Sequence, residues 1–521
     1  MPQYFTPGVY IEEIERGPRP IEGVPTSTAA FLGESERGPT MPRLVTSYND
    51  YRRWFGDIFG TRDRYLPYAA SGFFENGGRQ LYVCRLVGQG ATTATLAFGD
   101  LAVLAVGAGE FGNRIWALVR PSTTQKKNPD TNVVSPVGFR LTLAYWATVP
   151  NNFTPFDPTD VANRMKLPRP TLVEDFDDLT TDAVSSDYFE KRLAGNSALV
   201  TILRTAGTDS LPQPGNGLLA GGADDNNVLG SADYVGATGG NRTTVQGLEA
   251  LKLDAYRDVA IVYAPYPPQQ RVEIAVALKD HCELQKFRFA VLDADRNSGD
   301  AGALDPRSTI ADTSYAAFYY PWYWISDPQT SARTLAPPGG HVVGVYARTD
   351  DDRGVFKAPA NETPMGVLDL EFAINDEVQA VLNPRGVNVT RSFPGRGIRV
   401  WGARTLSSNG LWKYVSVRRL FIFLERSIYE GTQWVVFEPN DDRLWARVKD
   451  SIRLFLRTQW RSGALYGATE QQAFFITCDR TTMTQDDILN GRLICEIGIA
   501  PVRPAEFVIF RVFQNTAEAQ N

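Results

Sequence analysis

The spacing of apolar and polar positions divides this 521-residue chain into stretches of different texture. Within residues 1–28, five prolines separate short apolar stations, chiefly Val9, Tyr10, Ile11 and Ile14. Turn signals at Pro7-Gly8 and at residues 17–20 bracket them, so they read as one short strand with no hairpin partner nearby. Such a strand either frays or pairs elsewhere, because buried backbone groups cannot stay unpaired. From residue 29 the pattern reads strand, helix, strand: apolar 29–33, helical 49–55 and 65–74, then a buried strand over 81–87. Residues 91–230 are rich in Thr, Asn, Asp, Gly and Pro and predict an inserted, peripheral β-rich domain. Its short strands fall at 115–119 and 139–145, and its long loops at 123–136 and 211–229. From residue 231 strands and helices alternate. A strand at 259–263, an amphipathic helix at 269–281 and a strand at 287–292 are continued by 314–324 and 341–346, which predicts an α/β layer.

The last 130 residues carry the strongest periodicity. Residues 440–464 predict one long helix, with Asn440 or Asp441 as its cap and Gly463 and Gly467 as its stop. At about 100° per residue, Leu444, Trp445, Val448, Ile452, Phe455 and Leu456 share one face. Arg443, Arg447, Arg453, Arg457 and Arg461 share the opposite arc, either as a solvated cationic face or as a docking stripe for an acidic partner. Residues 504–514 form a β-like run. Phe507, Ile509, Arg511 and Phe513 lie on one side and Val508, Phe510 and Val512 on the other, which predicts a strand buried in a sheet.

Composition then removes whole classes of function. With 53 Lys and Arg against 59 Asp and Glu the net charge is −6, which argues against a chain that coats nucleic acid. No uninterrupted apolar stretch reaches about 18 residues and no signal-like leader opens the sequence, so neither membrane insertion nor secretion is expected. Cys84, Cys282, Cys478 and Cys495 are scattered and read as reduced thiols of a cytoplasmically made chain. With two histidines, His281 and His341, a three-histidine metal site is impossible. Phosphate-loop and nucleophile-elbow motifs are absent. Residues 293–299 begin like a calcium loop through Asp293, Asp295 and Asn297, but the glycine comes late and Leu304 stands where a bidentate acid is needed, so a solvated turn is expected. The acidic runs 174–178 and 350–352 read as solvated loops. Residues 338–344 loosely resemble a segment of subtilisin-like proteases, yet Pro338 occupies the place of the catalytic histidine, so His341 is expected to be structural. No catalytic, cofactor-binding or metal-binding residue is assigned, and no enzyme is expected.

At this point the residues resemble a known family. Residues 7–13, 19–27 and 73–78 near the start, and 393–397, 400–408, 412–421, 437–440, 491–494 and 504–507 near the end, are similar to the contractile tail sheath proteins of phages, phage-tail-like bacteriocins and extracellular contractile injection systems. The resemblance covers roughly the first 90 and last 130 residues. It implies a mixed α/β and α+β multidomain fold. The expected parts are an N-terminal arm (1–28), the first part of the core (29–90), an inserted β-rich outer domain (91–230), a non-catalytic α/β layer domain (231–381), a C-terminal α+β domain facing a tube (382–503) and a C-terminal arm (504–521).

In that family terminal arms exchange strands with neighbouring subunits. Val9, Tyr10, Ile11, Ile14, Phe507, Val508, Ile509, Phe510 and Phe513 are therefore expected at subunit interfaces. The five arginines are expected to face an inner tube. The implied partners are copies of itself in a helical polymer of hexameric rings, the inner tube protein, baseplate and tail-terminator or cap proteins, and paralogous sheath proteins as further candidates. The implied location is a phage tail or tail-like particle assembled in the bacterial cytoplasm and then released or anchored. A static self-assembling shell and a degenerate subtilisin-like hydrolase stay open as other readings.

Overall fold

The computed structural model describes residues 20–58, 64–127, 132–204, 210–225, 227–237, 245–266 and 271–511. Val9, Tyr10, Ile11, Ile14 and Phe513 lie outside the described residues. The chain divides into two compact units, one of residues 26–352 and 358–415, the other of 1–25, 353–357 and 416–521.

The larger unit is built on an eight-stranded sheet. Its order is Arg43–Val45, Leu81–Arg85, Ala29–Gly33, Ile261–Tyr263, Phe289–Asp293, Ala316–Tyr320, Val387–Phe393 and Gly397–Val400. The six inner strands run parallel and the two edge strands antiparallel. Parallel strands covered on both faces need apolar side chains on both. Accordingly Ala29–Gly33, Phe289–Asp293 and Ala316–Tyr320 are buried at every position. On one face Ala30, Leu32, Val262 and Leu292 join Ile274 and Leu278 of the helix Arg271–Gln285 in one core. On the other, the Phe31 ring meets Phe73 and Tyr263 edge-on, with centroids 5.4 and 5.0 Å away.

Two helices cover that second face, Leu66–Glu75 and Gly339–Arg353, and they touch backbone to backbone. A Cβ added at Gly340 would lie 2.4 Å from the Ala69 Cα, and one at Gly344 would lie 2.6 Å from the Phe73 carbonyl oxygen. The ring of His341 fills the space over Gly72, where a Cβ would fall 2.5 Å away. The protease-like segment at 338–344 is therefore a helix-packing surface. His341 is buried, its ring edge-on to Tyr323, and burial lowers its pKa to about 4. His281 is buried as well; its Nε2 accepts from Arg288 at 2.7 Å, and burial followed by that cation lowers its pKa to about 3.

The insertion leaves the sheet after Leu81–Arg85 and returns at Ile261–Tyr263. It holds a four-stranded sheet (Leu172–Leu179, Phe139–Tyr145, Ile115–Pro121, Gly215–Leu218) and a three-stranded one (Val200–Arg204, Leu101–Ala105, Thr95–Phe98), packed around a core of their own.

Several expectations are corrected here. The acidic run 174–178 is no loop but lies in the strand Leu172–Leu179. Glu174 turns inward and accepts from the Ser197 hydroxyl and the Ala198 N–H, at 2.6 and 2.8 Å, which compensates its burial. Residues 350–352 belong to the helix Gly339–Arg353. The expected loops at 123–136 and 211–229 include the short paired strands Gln125–Lys127 and Val134–Pro136, and the edge strand Gly215–Leu218. Asp293 is not in a solvated turn. It ends a core strand, is 2% exposed, and accepts from the Tyr263 hydroxyl at 2.6 Å. Asp295 pairs instead with Arg271 at 2.8 Å, so the oxygens of the calcium-like run do not converge. The boundary expected at 382 falls later, because Val387–Phe393 and Gly397–Val400 complete the large sheet and the other unit resumes at Ser416.

Two outcomes test this architecture. Gly340→Ala should destabilise the chain by about 1–3 kcal/mol through forced helix separation. Gly410→Ala, with no neighbouring atom within 4 Å, should be close to neutral in the same urea titration. Burial raises the Asp293 pKa to about 7. Because the folded value exceeds the unfolded one, its contribution to stability is complete near pH 4 and is lost as pH rises through 7. Asp293→Asn, which cannot ionise, should therefore gain on the wild type from pH 4 to about pH 7 and level off above it, by on the order of 4 kcal/mol in all. A gap that does not change with pH in melting curves would refute this.

Candidate functional site

The surfaces expected to meet partners belong to the smaller unit. Its central helix, Asp442–Arg461, is capped by Asp441, whose carboxylate accepts from the Leu444 N–H at 2.8 Å. The acid also complements the positive end of the helix dipole. Leu444, Trp445, Val448, Ile452, Phe455 and Leu456 are all buried, as the 3.6-residue period requires. They pack with Ile21, Val355, Leu420, Leu424 and Phe474 in one core.

The arginine arc faces outward, but much of its charge is answered within the unit. Arg457 lies 2.8 Å from Glu470, and Arg453 lies 3.3 Å from the same carboxylate. Arg447 is 3.8 Å from Glu438 and holds its guanidinium 4.7 Å over the Trp434 ring. Arg443 and Arg461 face no acid among the described residues. The sequence pattern could not show this, because Glu438 and Glu470 flank the helix and reach it only through the fold.

Both terminal segments are anchored in this unit. Before the helix Val415–Gly431 is reached in sequence, residues 20–25 already lie against it. The Val24 N–H donates to the Ser427 hydroxyl at 3.1 Å, and Ile21 packs so closely on Gly431 that a Cβ there would fall 2.7 Å from it. At the other end, Tyr466 donates its N–H to the Ala500 carbonyl at 2.7 Å, and Val502 donates to Ala464 at 3.2 Å.

Beyond residue 502 regular pairing stops. Of the strand expected at 504–514, the described part is not formed: residues 502–511 belong to no strand, and Phe507, Val508, Ile509 and Phe510 are 72, 69, 79 and 85% exposed. Pro501 still lies in the ladder opposite Leu465, and Pro504, which has no N–H to offer a neighbour, follows the last residue paired in it, Val502. Sequence reasoning missed two further exposed apolar side chains, Val436 and Phe437, which sit just ahead of the arginine helix. Their sequence signal was an apolar pair directly before a helix-capping run.

Elsewhere the larger unit has a polar cleft of about 890 Å³ lined by Glu36, Arg37, Arg52, Asp57, Arg64 and Arg114, among others. Its charges serve one another, Arg37 with Glu36 at 3.2 Å and Arg52 with Asp57 at 2.6 Å, and neither histidine lines it. Among the described residues no group of three or more His, Cys, Asp or Glu side chains could hold a metal, and no helix is long and apolar enough to cross a membrane.

Comparison with known proteins decides the family. The phage tail sheath protein central domain matches residues 236–406, and the phage tail sheath C-terminal domain matches residues 407–515. The chain belongs to the phage tail sheath family. The tail sheath protein of Burkholderia phage BcepMu is 28% identical over 297 residues, which are 53% of this chain and 60% of that protein. The match therefore spans less than two thirds of that relative.

Among solved structures, the contracted helical sheath of the anti-feeding prophage is similar over 98% of this chain and 99% of its own, with a TM-score of 0.58 at 24% identity. The contracted sheath complex of the extracellular contractile injection system PVC has a TM-score of 0.58 at 23% identity, over 99% of this chain and 100% of its own. These likenesses establish the fold, including its mixed α/β, multidomain character.

The division of labour on the sheath chain's central helix can be measured. Trp445→Ala should cost about 3–5 kcal/mol, since it empties a packed site. Glu470→Ala should cost no more than about 1 kcal/mol, since its partners are partly exposed. Equal losses in urea unfolding would overturn this assignment of stability to the apolar face.

Proposed function

We propose that the chain is the structural subunit of a contractile tail sheath. It polymerises around an inner tube and contracts to drive that tube through a target envelope. The observation that carries this reading is the apolar segment Phe507, Val508, Ile509 and Phe510, which the sheath chain leaves bare. Burying side chains of this size gains about 1.5–3 kcal/mol each, so solvent is a poor final environment for four in a row. A neighbouring subunit's open strand edge would bury them and satisfy their backbone groups at once. Val9, Tyr10, Ile11, Ile14 and Phe513 are assigned to the same exchange by their sequence pattern.

In this reading each ring is linked to its neighbours by strands that survive while subunits turn and slide. The energy for contraction is stored in an extended arrangement held behind a kinetic barrier, and a baseplate releases it. The arginine arc faces the tube. Arg443 and Arg461 supply the charge left for an acidic tube surface, while Arg447, Arg453 and Arg457 bind it by exchanging their present partners. Such screened contacts can be released in sequence as rings turn. Assembly takes place in the bacterial cytoplasm, and tail-terminator or cap proteins and paralogous sheath subunits are further partners. The inserted domain lies on the sheath exterior.

Electron microscopy of the chain expressed alone, and again with its genomic neighbours, tests this. Short, wide, hollow cylinders are expected from the chain alone and long sheathed tubes with the neighbours. A chain truncated after Arg503 should form neither while still folding, and Arg443→Glu with Arg461→Glu should still form cylinders alone but fail to load onto tubes. Monodisperse monomers under both conditions would sink the proposal. A single invariant polymer form would favour a static shell.

A further inference from the structure

The hairpin that closes the smaller unit carries a pair of thiols that neither the arms nor the arginine arc uses. Strand Phe474–Thr477 runs antiparallel to Glu496–Ile499, with Phe474 opposite Ile499 and Thr477 opposite Glu496. One step further in the same register sets Cys478 opposite Cys495. The kind of position this is can be read from the other end of the ladder. There the Ala500 N–H donates to the Ala473 carbonyl at 2.9 Å, so residues 473 and 500 form a hydrogen-bonded pair. Hydrogen-bonded and non-hydrogen-bonded pairs alternate along an antiparallel ladder, which makes 475/498 and 477/496 hydrogen-bonded and 478/495 non-hydrogen-bonded. Opposed Cα atoms at such sites approach to about 4.5 Å. That separation lies inside the ~4.4–6.8 Å range that a disulfide bridges.

The side chains agree with the backbone. The neighbouring Cys495 thiol, aided by the Lys449 ammonium and opposed by burial, holds the Cys478 pKa below the usual thiol range. Cys478 is 2% exposed, whereas Cys495 is half-buried and open to a small reagent. The loop between them is already ordered: the Thr482 hydroxyl donates to the Ile494 carbonyl at 2.9 Å, and Gln485–Leu489 is helical. Cys84 and Cys282 offer a contrast. Both are fully buried, and burial raises their pKa, that of Cys282 to about 12.

We infer that Cys478 and Cys495 are a modification site, forming a reversible intrachain disulfide on contact with a small-molecule disulfide oxidant. One sulfur of the pair, as the thiolate, attacks a sulfur of the oxidant and expels the first small thiolate. The second protein sulfur then attacks the mixed disulfide and expels the other. Two protein thiols are oxidised, one small disulfide is reduced to two thiols, and the two protons pass to the leaving groups. The bond ties strand Glu496–Ile499, from which residues 503–511 depart, to its neighbour. The inference rests on the hairpin of one chain and stands whether or not the chain polymerises.

The test uses the full-length chain, reduced, freed of reductant and incubated with glutathione disulfide. Free thiols are then trapped with iodoacetamide in denaturant before peptide mass mapping. The expected product is a cross-linked peptide pair containing Cys478 and Cys495, lighter by about 2 Da than the two thiol peptides together. Cys84 and Cys282 should be alkylated throughout, and Cys495→Ser should abolish the cross-link. Recovery of Cys478 and Cys495 as alkylated thiols, as glutathione adducts alone, or bonded to Cys84, to Cys282 or to another chain would overturn the inference. The wild-type map decides the matter even if the variant fails to fold.

Discussion

The larger unit depends on two helices being able to approach without side chains between them. Leu66–Glu75 precedes the insertion and Gly339–Arg353 follows it, yet both must lie on the face of the sheet that carries Phe31 and Tyr263. Gly72, Gly340 and Gly344 permit this, because a Cβ at any of them would meet a ring or a backbone atom at 2.4–2.6 Å. Separating the helices would uncover the Phe31, Phe73 and Tyr263 rings together. That contact keeps strands from both sides of the insertion in one continuous sheet, and the sheet in turn sets the insertion's two points of attachment.

The smaller unit separates two kinds of surface. Its apolar helix face is spent on its own core, while the apolar residues at 507–510 remain unspent. Its arginines are mostly engaged by Glu438 and Glu470 at distances short enough to orient them and exposed enough to be exchanged. Hydrophobic burial supplies affinity, and charge of this kind supplies orientation and speed of encounter.

Much of this was legible in the sequence wherever one period dominated. The helix face running from Leu444 to Leu456 and the fully buried strands 29–33 and 289–293 followed from periodicity and apolar runs, because burial on one or both faces leaves that imprint. The failures share a cause, which is a partner distant in sequence. Glu174 looked like part of a solvated acidic run because the Ser197 and Ala198 groups that receive it lie in another turn of the chain. Residues 338–344 could be read as non-catalytic, with His341 structural, but not as a helix-packing surface, because the Leu66–Glu75 helix that explains their glycines lies beyond any local window. For Phe507 to Phe510 the sequence left open whose sheet would take the strand, because an apolar run reports the tendency to be buried and not the partner that buries it.

The insertion's points of attachment have a consequence of their own. It departs from Leu81–Arg85 and rejoins at Ile261–Tyr263, the two strands that flank Ala29–Gly33. Because these strands run parallel, Arg85 lies beside Gly33 and Ile261 beside Ala29, so the sheet holds the two ends about 16 Å apart, two strand spacings across and four residues along, whatever lies between them. With the gap set by the sheet, each doubling of the intervening length costs only about 0.6 kcal/mol in closure entropy. This position can shed, enlarge or exchange its domain with little effect on the sheet beneath. It is the natural place to graft a foreign module onto the chain.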